Sequence, residues 1–351
     1  MSPRSRTPPF SKPSSGAVTI REVARLAGVS LGSVSRVMNG KATVTPEVRV
    51  KVQSAIQELN YRPSAAAQNM RRQATRTVGC IIRDINIPGF AAFVRAAHDV
   101  FTEAGYALFL SNSDGKPERE RELISVMLAR RTDALLMAQY SDWDAGLDAL
   151  LRRNRTPLIL VDRKLPEWAD AVVVDHRSAL RRATEKLLAL GHRRIALITG
   201  SKTLYPAQER IAGYRAAFDA GGIAVDDTLV RSGSFVSEFG FEQTALLVST
   251  PRPVTALIAG GIEMLPGVLR ALRVSGMRIP DDVSLVATLN SDLAELVEPS
   301  ISIERWDYAE VGRIAARFAL ERIRNGPEGE PRRLTVPSEF LLRDSCAPPR
   351  N

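Results

Sequence analysis

Residues 18–40 read VTIREVARLAGVSLGSVSRVMNG, and this stretch decides how the amino-terminal part of the chain folds. Thr19 can cap a first helix. The apolar positions of that helix recur at helical spacing: Ile20, Val23, Ala24 and Ala27. Gly28 can end it, and Ser30 can cap a second helix from Leu31 to about Met38. Two short helices joined by a tight glycine-containing turn predict a helix-turn-helix.

A third helix follows, because Thr45 and Pro46 form a helix start. Its apolar face is predicted to be Val48, Val52, Ala55, Ile56 and Leu59. In the first two helices we assign Leu26, Val34 and Val37 to the core. The sequence therefore predicts a small all-α head over residues 18–62, after a Pro-, Ser- and Arg-rich tail at residues 1–17 that we expect to be disordered.

Positive charge is concentrated in this part of the chain. Residues 1–76 hold 13 Lys and Arg against three acids, a net charge of +10. The remaining 275 residues hold 35 Lys and Arg against 36 acids, a net charge of −1. A small basic module joined to a neutral body is typical of a polyanion-binding head, although a solvated basic terminus is an equally simple reading of charge alone.

Composition excludes several classes of protein. No apolar run approaches the roughly 18–20 residues that span a bilayer, and residues 1–17 lack the apolar centre of a secretion signal. Two cysteines, Cys80 and Cys346, cannot form a disulfide framework, and three histidines leave little for a histidine-rich metal site. We therefore expect a soluble, cytoplasmic chain that needs no metal and no cofactor.

From Val78 onward, apolar runs that favour strands alternate with helical segments, which predicts an α/β fold with doubly wound parallel sheets. The predicted strands are Val78–Ile82, Ala107–Leu110, Ala134–Met137, Leu158–Val161, Val172–Val174, Ile195–Thr199, Ala256–Ile258 and Val283–Val286. The predicted helices include Phe90–Ala104, Glu118–Arg130, Ala179–Leu190, Arg210–Ala220 and Tyr308–Arg324. This number of strands suits two lobes better than one, with a ligand between them at the carboxyl ends of the strands.

Residues 18–72 closely resemble the head of lactose-repressor (LacI/GalR) family regulators. The resemblance rests on AGVS, VSRVMNG, ELNYRPS and the alanine-rich stretch that follows. It continues through the body in the family's order: DINIPGF, LVDR, VVVD, ALGHRRIALITG, ERIAGYRAAF, RIPDDVSLV and the helix that contains Gly312. It implies a helix-turn-helix head, a hinge helix and a two-lobed periplasmic-binding-protein-like core.

The resemblance implies that the second helix enters the major groove of operator DNA. The residues it would turn towards the bases are Leu31, Gly32, Ser33, Ser35 and Arg36. Of these, Arg36 could pair with a guanine through two hydrogen bonds, so we expect it to carry much of the discrimination. Phosphate contacts are expected from Thr19, Ser30, Ser35 and Asn39.

In the family a hinge helix lies in the minor groove, and a leucine of each subunit wedges between bases. The matching residue here is Met70, with Ala67 and Arg71 beside it in the hinge, predicted over residues 63–76. Methionine is apolar and flexible enough to intercalate, but its departure from leucine implies a shallower kink. A marginal alanine-rich helix suits a segment that folds only on DNA.

The family binds small effectors between the lobes, and the matching positions are Asp162, Arg210, Phe235 and Trp306. Polar groups usual in such a pocket are replaced here at Gly89, Gly261, Ile262 and Leu289. One hypothesis is a less hydroxylated effector that carries a carboxylate, such as an organic or sugar acid. The alternatives are that the cleft binds little, or that neighbouring side chains replace the lost groups and it still binds a sugar.

No catalytic arrangement is recognisable, because His98, His176 and His192 lack a neighbouring nucleophile motif. We therefore predict a ligand-responsive repressor that binds a near-palindromic operator. We expect it to be a homodimer, because no leucine heptads follow the last predicted strand. The alternative is a solute-binding receptor with the same core. We predict that the core covers residues 77–346: lobe one about 77–175 and 305–328, lobe two about 176–304 and 329–346.

Overall fold

The chain divides into two compact units, one up to Thr75 and one from Arg76 onward. A computed structural model describes residues 18–38, 40, 43–61, 74–138, 143–163, 166–288 and 292–350. The predicted tail, most of the predicted hinge and the positions Asn39, Ala67, Met70, Arg71 and Leu289 lie outside these residues. Each unit is described by itself below.

The first unit is a three-helix head: α1 (Ile20–Ala27), α2 (Leu31–Met38) and α3 (Pro46–Glu58). Local residues set its boundaries. The carboxylate of Glu22 accepts hydrogen bonds from the Thr19 backbone N–H and hydroxyl at 2.7 and 3.0 Å, and Gly28 ends α1 with a φ of 66°. The head core is Val23, Ala24, Ala27, Val34, Val37, Val52 and Ala55.

The first lobe of the core is built on a parallel sheet, in the order β11-β5-β4-β3-β1-β2. Its strands are β1 (Thr77–Ile82), β2 (Ala107–Asn112), β3 (Ala134–Met137), β4 (Leu158–Val161), β5 (Asp170–Val174) and β11 (Arg333–Val336). Its helices are α4 (Pro88–Glu103), α5 (Pro117–Ala129), α6 (Ala145–Asn154) and α12 (Tyr308–Asn325). A side chain at Gly312 would overlap the backbone carbonyl of Phe93, so glycine there lets α12 lie directly against α4.

The second lobe is built on a sheet in the order β12-β10-β9-β8-β6-β7, parallel except for β12. Its strands are β6 (Ile195–Gly200), β7 (Val230–Gly233), β8 (Ala256–Gly260), β9 (Ser284–Thr288), β10 (Ser302–Arg305) and β12 (Glu339–Leu341). Its helices are α7 (His176–Ala189), α8 (Tyr205–Ala220), α9 (Ser237–Val248), α10 (Leu265–Val274) and α11 (Asp292–Leu296). Short 3₁₀ turns cover Asp227–Leu229 and Ile262–Met264.

The chain passes between the lobes three times: near Asp175, near Trp306 and between β11 and β12. The third passage differs from the sequence-based boundary at residues 328/329, which assigned β11 to the second lobe. β11 instead pairs with β5 of the first lobe, from Arg333 against Ala171 to Val336 against Val174. The prediction was wrong here because strand pairing is set by distant partners and not by the loop that precedes the strand.

A partly buried polar cluster around the buried Glu304 contacts all three passages. The Arg182 guanidinium of α7 donates to Glu304 Oε2 at 2.8 Å and to the Ser338 hydroxyl at 2.7 Å. The Ser338 hydroxyl in turn lies 3.5 Å from the backbone carbonyl of Asp175. Burial raises the pKa of Glu304 to about 7, although its contacts with Arg182 oppose this change. One carboxyl group is therefore linked to all three connections between the lobes.

Among the described residues, no helix is long and apolar enough to cross a membrane. Cys80 is buried in the first lobe and Cys346 is partly buried in the second, and both are free thiols. Burial raises the pKa of the Cys80 thiol to about 12, so it behaves as a small core side chain.

Candidate DNA-binding head and effector cleft

The exposed face of α2 carries most of the residues predicted to read DNA. Val34 and Val37 are buried in the head, as expected from the sequence. Leu31, Gly32 and Arg36 are exposed, and Ser33 and Ser35 are half-buried beside them. Leu31 keeps 45% of its surface exposed. The assignment of Leu26 to the core was wrong, since it is also 45% exposed, on α1.

Hydrogen bonds fix the start of α2 and orient Arg36. The Ser30 hydroxyl accepts from the Ser33 backbone N–H at 3.1 Å and lies 3.0 Å from the Ser33 hydroxyl. Arg36 Nε donates to the Gly32 carbonyl at 3.1 Å, which holds the guanidinium beside Gly32. A Cβ at Gly32 would meet only Arg36 and Ser30 at ordinary contact distances. The head itself therefore does not require glycine there, and close approach of another molecule is the remaining physical reason for it.

A cavity of about 90 Å³ lies between the two lobes. It is at the carboxyl ends of strands from both sheets, where parallel α/β folds bind ligands. All four residues predicted for the effector line it: Asp162, Arg210, Phe235 and Trp306. Gly261 also lines it, while Gly89 is buried at the start of α4.

Asp162 lines the cavity, but its carboxylate is already engaged. It follows β4 with a φ of 57°, is 6% exposed, and accepts from the Val174 backbone N–H at 3.2 Å. His176 Nε2 lies 3.0 and 2.8 Å from its two oxygens. Burial alone would raise the pKa of Asp162, but the contacts with His176 and Val174 keep this pKa below its usual range. Asp162 thus holds His176 in place.

His176 was missed as a site residue by the sequence analysis, which considered it only as a catalytic histidine and found no nucleophile beside it. It is the first residue of α7, fully buried, and packs edge-on against Trp306 with ring centroids 5.0 Å apart. Burial lowers the pKa of its imidazole, so it is neutral at pH 7. With the Nε2 proton donated to Asp162, Nδ1 presents a lone pair 3.5 Å from an Arg210 terminal amino group.

Arg210 is a buried cation at the centre of the cavity. It is 5% exposed and donates to the Gly260 carbonyl at 2.5 Å, yet it has no carboxylate partner among the described residues. Its guanidinium lies over the rings of Phe235 and Trp306, 5.3 and 5.8 Å from their centroids. In the described part of the chain, Nε of Arg210 and Nε1 of Trp306 are both buried without an acceptor. A ligand with a charged acceptor group would satisfy these donors.

Phe235 occupies the space that two glycines leave. A Cβ at Gly261 would come within 2.6 Å of its ring, and a Cβ at Gly200 would overlap the same ring. Gly261 is therefore required for packing, and the ring covers the position where the family usually has a polar side chain. The side of the cavity around Gly261 is apolar as a result.

An ion pair crosses the cleft beside this cavity. Arg83 follows β1 in the first lobe, and it pairs with Glu263, which follows β8 in the second lobe. Both side chains line the cavity with Phe90, Arg163, Thr288 and Tyr308. This pair could not be predicted from the sequence, because its members are 180 residues apart.

No group of three or more His, Cys, Asp and Glu side chains in the described ranges could hold a metal ion. The site instead combines one unpaired guanidinium, a neutral histidine and aromatic walls. The head, described by itself, carries an exposed helix-turn-helix face. Fold and site together define a transcriptional regulator that binds DNA and a small ligand.

Comparison with known proteins agrees with this class. Residues 19–64 match the model for bacterial regulatory proteins of the lacI family, and residues 184–346 match a periplasmic binding protein-like domain. The ribose operon repressor of Escherichia coli K12 is 31% identical over 93% of this chain and 99% of its own length. The regulator CelR of Thermobifida fusca is 33% identical over 93% of this chain and 98% of its own.

Solved structures show the same fold. A CelR–cellobiose complex aligns with a TM-score of 0.70 and 31% identity, covering 93% of this chain and 99% of that one. A lac repressor dimer bound to operator aligns with a TM-score of 0.82 over 95% of this chain and all of that one, at 24% identity. The chain belongs to the LacI family. Its relatives are transcriptional repressors, so neither an enzyme nor a solute receptor is favoured.

Proposed function

We propose that this protein is a cytoplasmic repressor that binds a near-palindromic operator as a homodimer and responds to a small carboxylate-bearing effector. The observation that carries the effector class is Arg210, a buried guanidinium in the interlobe cavity with no carboxylate partner among the described residues. The exposed face of α2 supports the DNA part of the proposal.

On DNA, α2 lies in the major groove. Arg36 pairs with a guanine, and Leu31 and Gly32 supply an apolar contact and close backbone approach. Phosphates are held by hydroxyls and amides of Thr19, Ser30, Ser35 and Asn39. In the hinge, Met70 wedges into the minor groove, with Ala67 and Arg71 beside it.

The charges around the cavity favour a monoanion. The described charged groups that line it are Arg83, Arg163 and Arg210 against Asp162 and Glu263. Their sum is one net positive charge. Arg83 pairs with Glu263 and the charge of Arg163 acts on the Asp162 carboxylate, so Arg210 is the cation left without a carboxylate partner among the described residues. A single carboxylate at Arg210 therefore neutralises the cavity and fills the acceptor positions that Arg210 and Trp306 lack.

A neutral sugar is the competing ligand, since one relative is named for the ribose operon and another was solved with cellobiose. Two features of this cavity act against it. The Asp162 carboxylate is engaged by His176, and the Phe235 ring fills the space beside Gly261. Fewer acceptors are then left for sugar hydroxyls.

A binding screen tests the effector class. Calorimetry should be run with neutral pentoses and hexoses, cellobiose, the corresponding sugar acids and simple monocarboxylates. We expect binding only from compounds that carry a carboxylate, and a loss of about 100-fold or more in Arg210→Gln. Arg215→Gln, on the exposed side of the same helix, is the matched control and should bind as the native protein does. Neutral sugars binding in preference to their acids would overturn the carboxylate proposal.

The DNA proposal has its own test, in which duplexes selected from a random pool are analysed for a two-fold symmetric consensus. Recovery of such a consensus, bound with a steep dependence on salt, supports an operator-binding dimer. Selection that yields no consensus would contradict it. Met70→Ala should weaken binding to the consensus far more than binding to random DNA.

A further inference from the structure

The edge of the first sheet at which its strands begin is rich in arginine. We call it the amino edge and define it by the segments that lead into the six strands: 76–77, 100–107, 126–134, 151–158, 166–170 and 322–333. These segments hold ten arginines and six acids, a net charge of +4. Residues 77–351 as a whole carry −1, so the amino edge is a local excess.

Hydrogen bonds between neighbouring segments make the amino edge continuous. Backbone N–H groups donate to the carbonyls of the next segment at 2.8 Å in three places: Asp133 to Thr77, Leu135 to Pro157 and Ala171 to Arg332. Adjacent strands lie roughly 4.8 Å apart, so five strand starts, from β1 to β11, extend over about 20 Å. This length corresponds to about six base pairs of duplex DNA.

Many of these arginines are already used inside the lobe. Arg322 and Arg332 donate to the buried Asp170 carboxylate at 2.8 and 2.6 Å. Arg152 pairs with Asp148 at 2.7 Å, and Arg155 pairs with Glu328. These pairs hold the loops of the amino edge in place but supply little net charge.

Among the other six arginines of the amino edge, three are exposed at the ends of helices. Arg130, Arg153 and Arg324 are exposed and make no ion pair to any described residue. Each stands at the carboxyl end of a different helix: α5, α6 and α12. The helix dipole favours a cation there, but by only about 0.3–1 kcal/mol at an exposed site. Because α6 ends with three arginines in four residues, the dipole alone does not account for the excess.

The position of the amino edge in the chain indicates what could approach it. Arg76 directly precedes β1, so the polypeptide that joins the head to the core enters at this edge. Tyr61 and Thr75 are 14 residues apart, so the tether is at most about 50 Å long. The amino edge is therefore the part of the core that follows the head most directly along the chain.

We propose that the amino edge binds phosphates of the DNA that flanks the operator, through Arg130, Arg153 and Arg324. The inference rests on the proposed DNA-binding function and extends it, because it assigns a DNA contact to the sensing core. Part of the affinity for DNA then comes from phosphates outside the sequence that the head reads, and this part of the affinity has no base specificity.

Two duplexes test this proposal with the full chain. Both contain the selected consensus. One ends at its boundaries, and the other extends it by about two helical turns on each side. The variant combines Arg130→Gln, Arg153→Gln and Arg324→Gln. On the long duplex, the variant should bind more weakly than the native protein. The slope of log affinity against log salt concentration should be shallower by up to about 3 per protomer, at roughly 0.9 per lost phosphate contact. On the short duplex, the variant and the native protein should have the same affinity.

Two controls separate charge from structure. Arg252→Gln, Arg273→Gln and Arg317→Gln together remove three exposed arginines from elsewhere on the core and should leave both duplexes unaffected. Lysine at positions 130, 153 and 324 should restore binding to the long duplex.

An unchanged affinity for the long duplex would overturn the proposal, and it would leave an acidic protein surface as the partner of the amino edge. Equal losses on both duplexes would overturn it as well. If no consensus is selected, the proposal that the head reads a DNA sequence fails on its own. The amino edge is then tested by comparing long and short duplexes of random sequence.

Discussion

His176 Nε2 lies 2.8 Å from Oδ2 of Asp162, and this contact joins the end of β4 in the first lobe to the start of α7 in the second. It fixes the imidazole as the Nε2–H tautomer, with Nδ1 turned towards Arg210. The cavity therefore presents a guanidinium beside a neutral acceptor, and the lobes are linked through a contact that depends on the protonation of one histidine.

We expect His176→Gln to flatten the dependence of stability on pH. Burial lowers the pKa of His176 in the folded state, so the unfolded chain takes up protons first as pH falls. Its contribution to stability is then fully present above the unfolded pKa of about 6.5 and is lost as pH falls below it. Denaturant unfolding between pH 5 and 8 measures this. His192, whose pKa burial also lowers, and Glu304, whose pKa burial raises to about 7, both contribute to the slope that remains in the variant.

His98→Gln is the control, because His98 is exposed on α4. It should leave the pH profile unchanged. If His176→Gln kept the native slope, the account of its buried neutral imidazole would be wrong.

Glu304→Gln should change the pH profile in the opposite direction. The folded-state pKa of about 7 lies above the unfolded value near 4.5, so the folded protein binds this proton more tightly. The contribution to stability is fully present below the unfolded pKa and is lost as pH rises through 7. As pH rises from 5 to 8, the free energy of unfolding of the variant should therefore increase by about 1–3 kcal/mol relative to that of the native protein. Glu242→Gln, an exposed carboxyl on α9, should show no such gain.

Gly261→Ala should destabilise the second lobe and weaken effector binding. Its Cβ would lie 2.6 Å from the Phe235 ring, which must move towards the cavity. We expect a cost of about 1–3 kcal/mol in the free energy of unfolding. Gly221→Ala is the matched control, since its Cβ would meet Ile223 at 3.4 Å and its φ is −82°. Equal stability of the two variants would contradict the packing argument.

Arg36→Gln should relax discrimination at one base pair of each half-site. The loss of a bidentate contact to guanine predicts about 1–3 kcal/mol less preference for that base at that position. Competition binding with single-base variants of the selected consensus measures it. Lys51→Gln removes a charge on α3 that already pairs with Glu47, and it should leave base preference intact. A uniform loss over all sequences would show that Arg36 contacts phosphate only.

The sequence predicted the elements whose signals are local. The bounds of α1 and α2 were correct to the residue, because Thr19, Gly28 and Ser30 act on backbone groups within three or four residues of themselves. Buried strands such as β1 were recognisable as continuous apolar runs. The head could thus be derived almost entirely from neighbouring residues.

Elements and contacts that depend on distant partners were missed. β7 and β12 are short and only half-buried, so they lack the apolar run of a central strand. His176 gains its importance from Asp162 and Arg210, which lie on two other elements. The sequence shows that Gly261 carries no polar side chain, but it does not show that the ring of Phe235 fills the space beside it.

The late arrival of β11 has a consequence for biosynthesis. The first sheet begins at Thr77, but it is complete only when residues 333–336 have been made, after the whole second-lobe sheet except β12. A ribosome that builds the chain from its amino end therefore cannot release a finished first lobe before it starts the second. Both lobes can be completed only when the same final stretch of about twenty residues has been made, so the two lobes finish folding together. The head is complete by Tyr61 and can fold long before them.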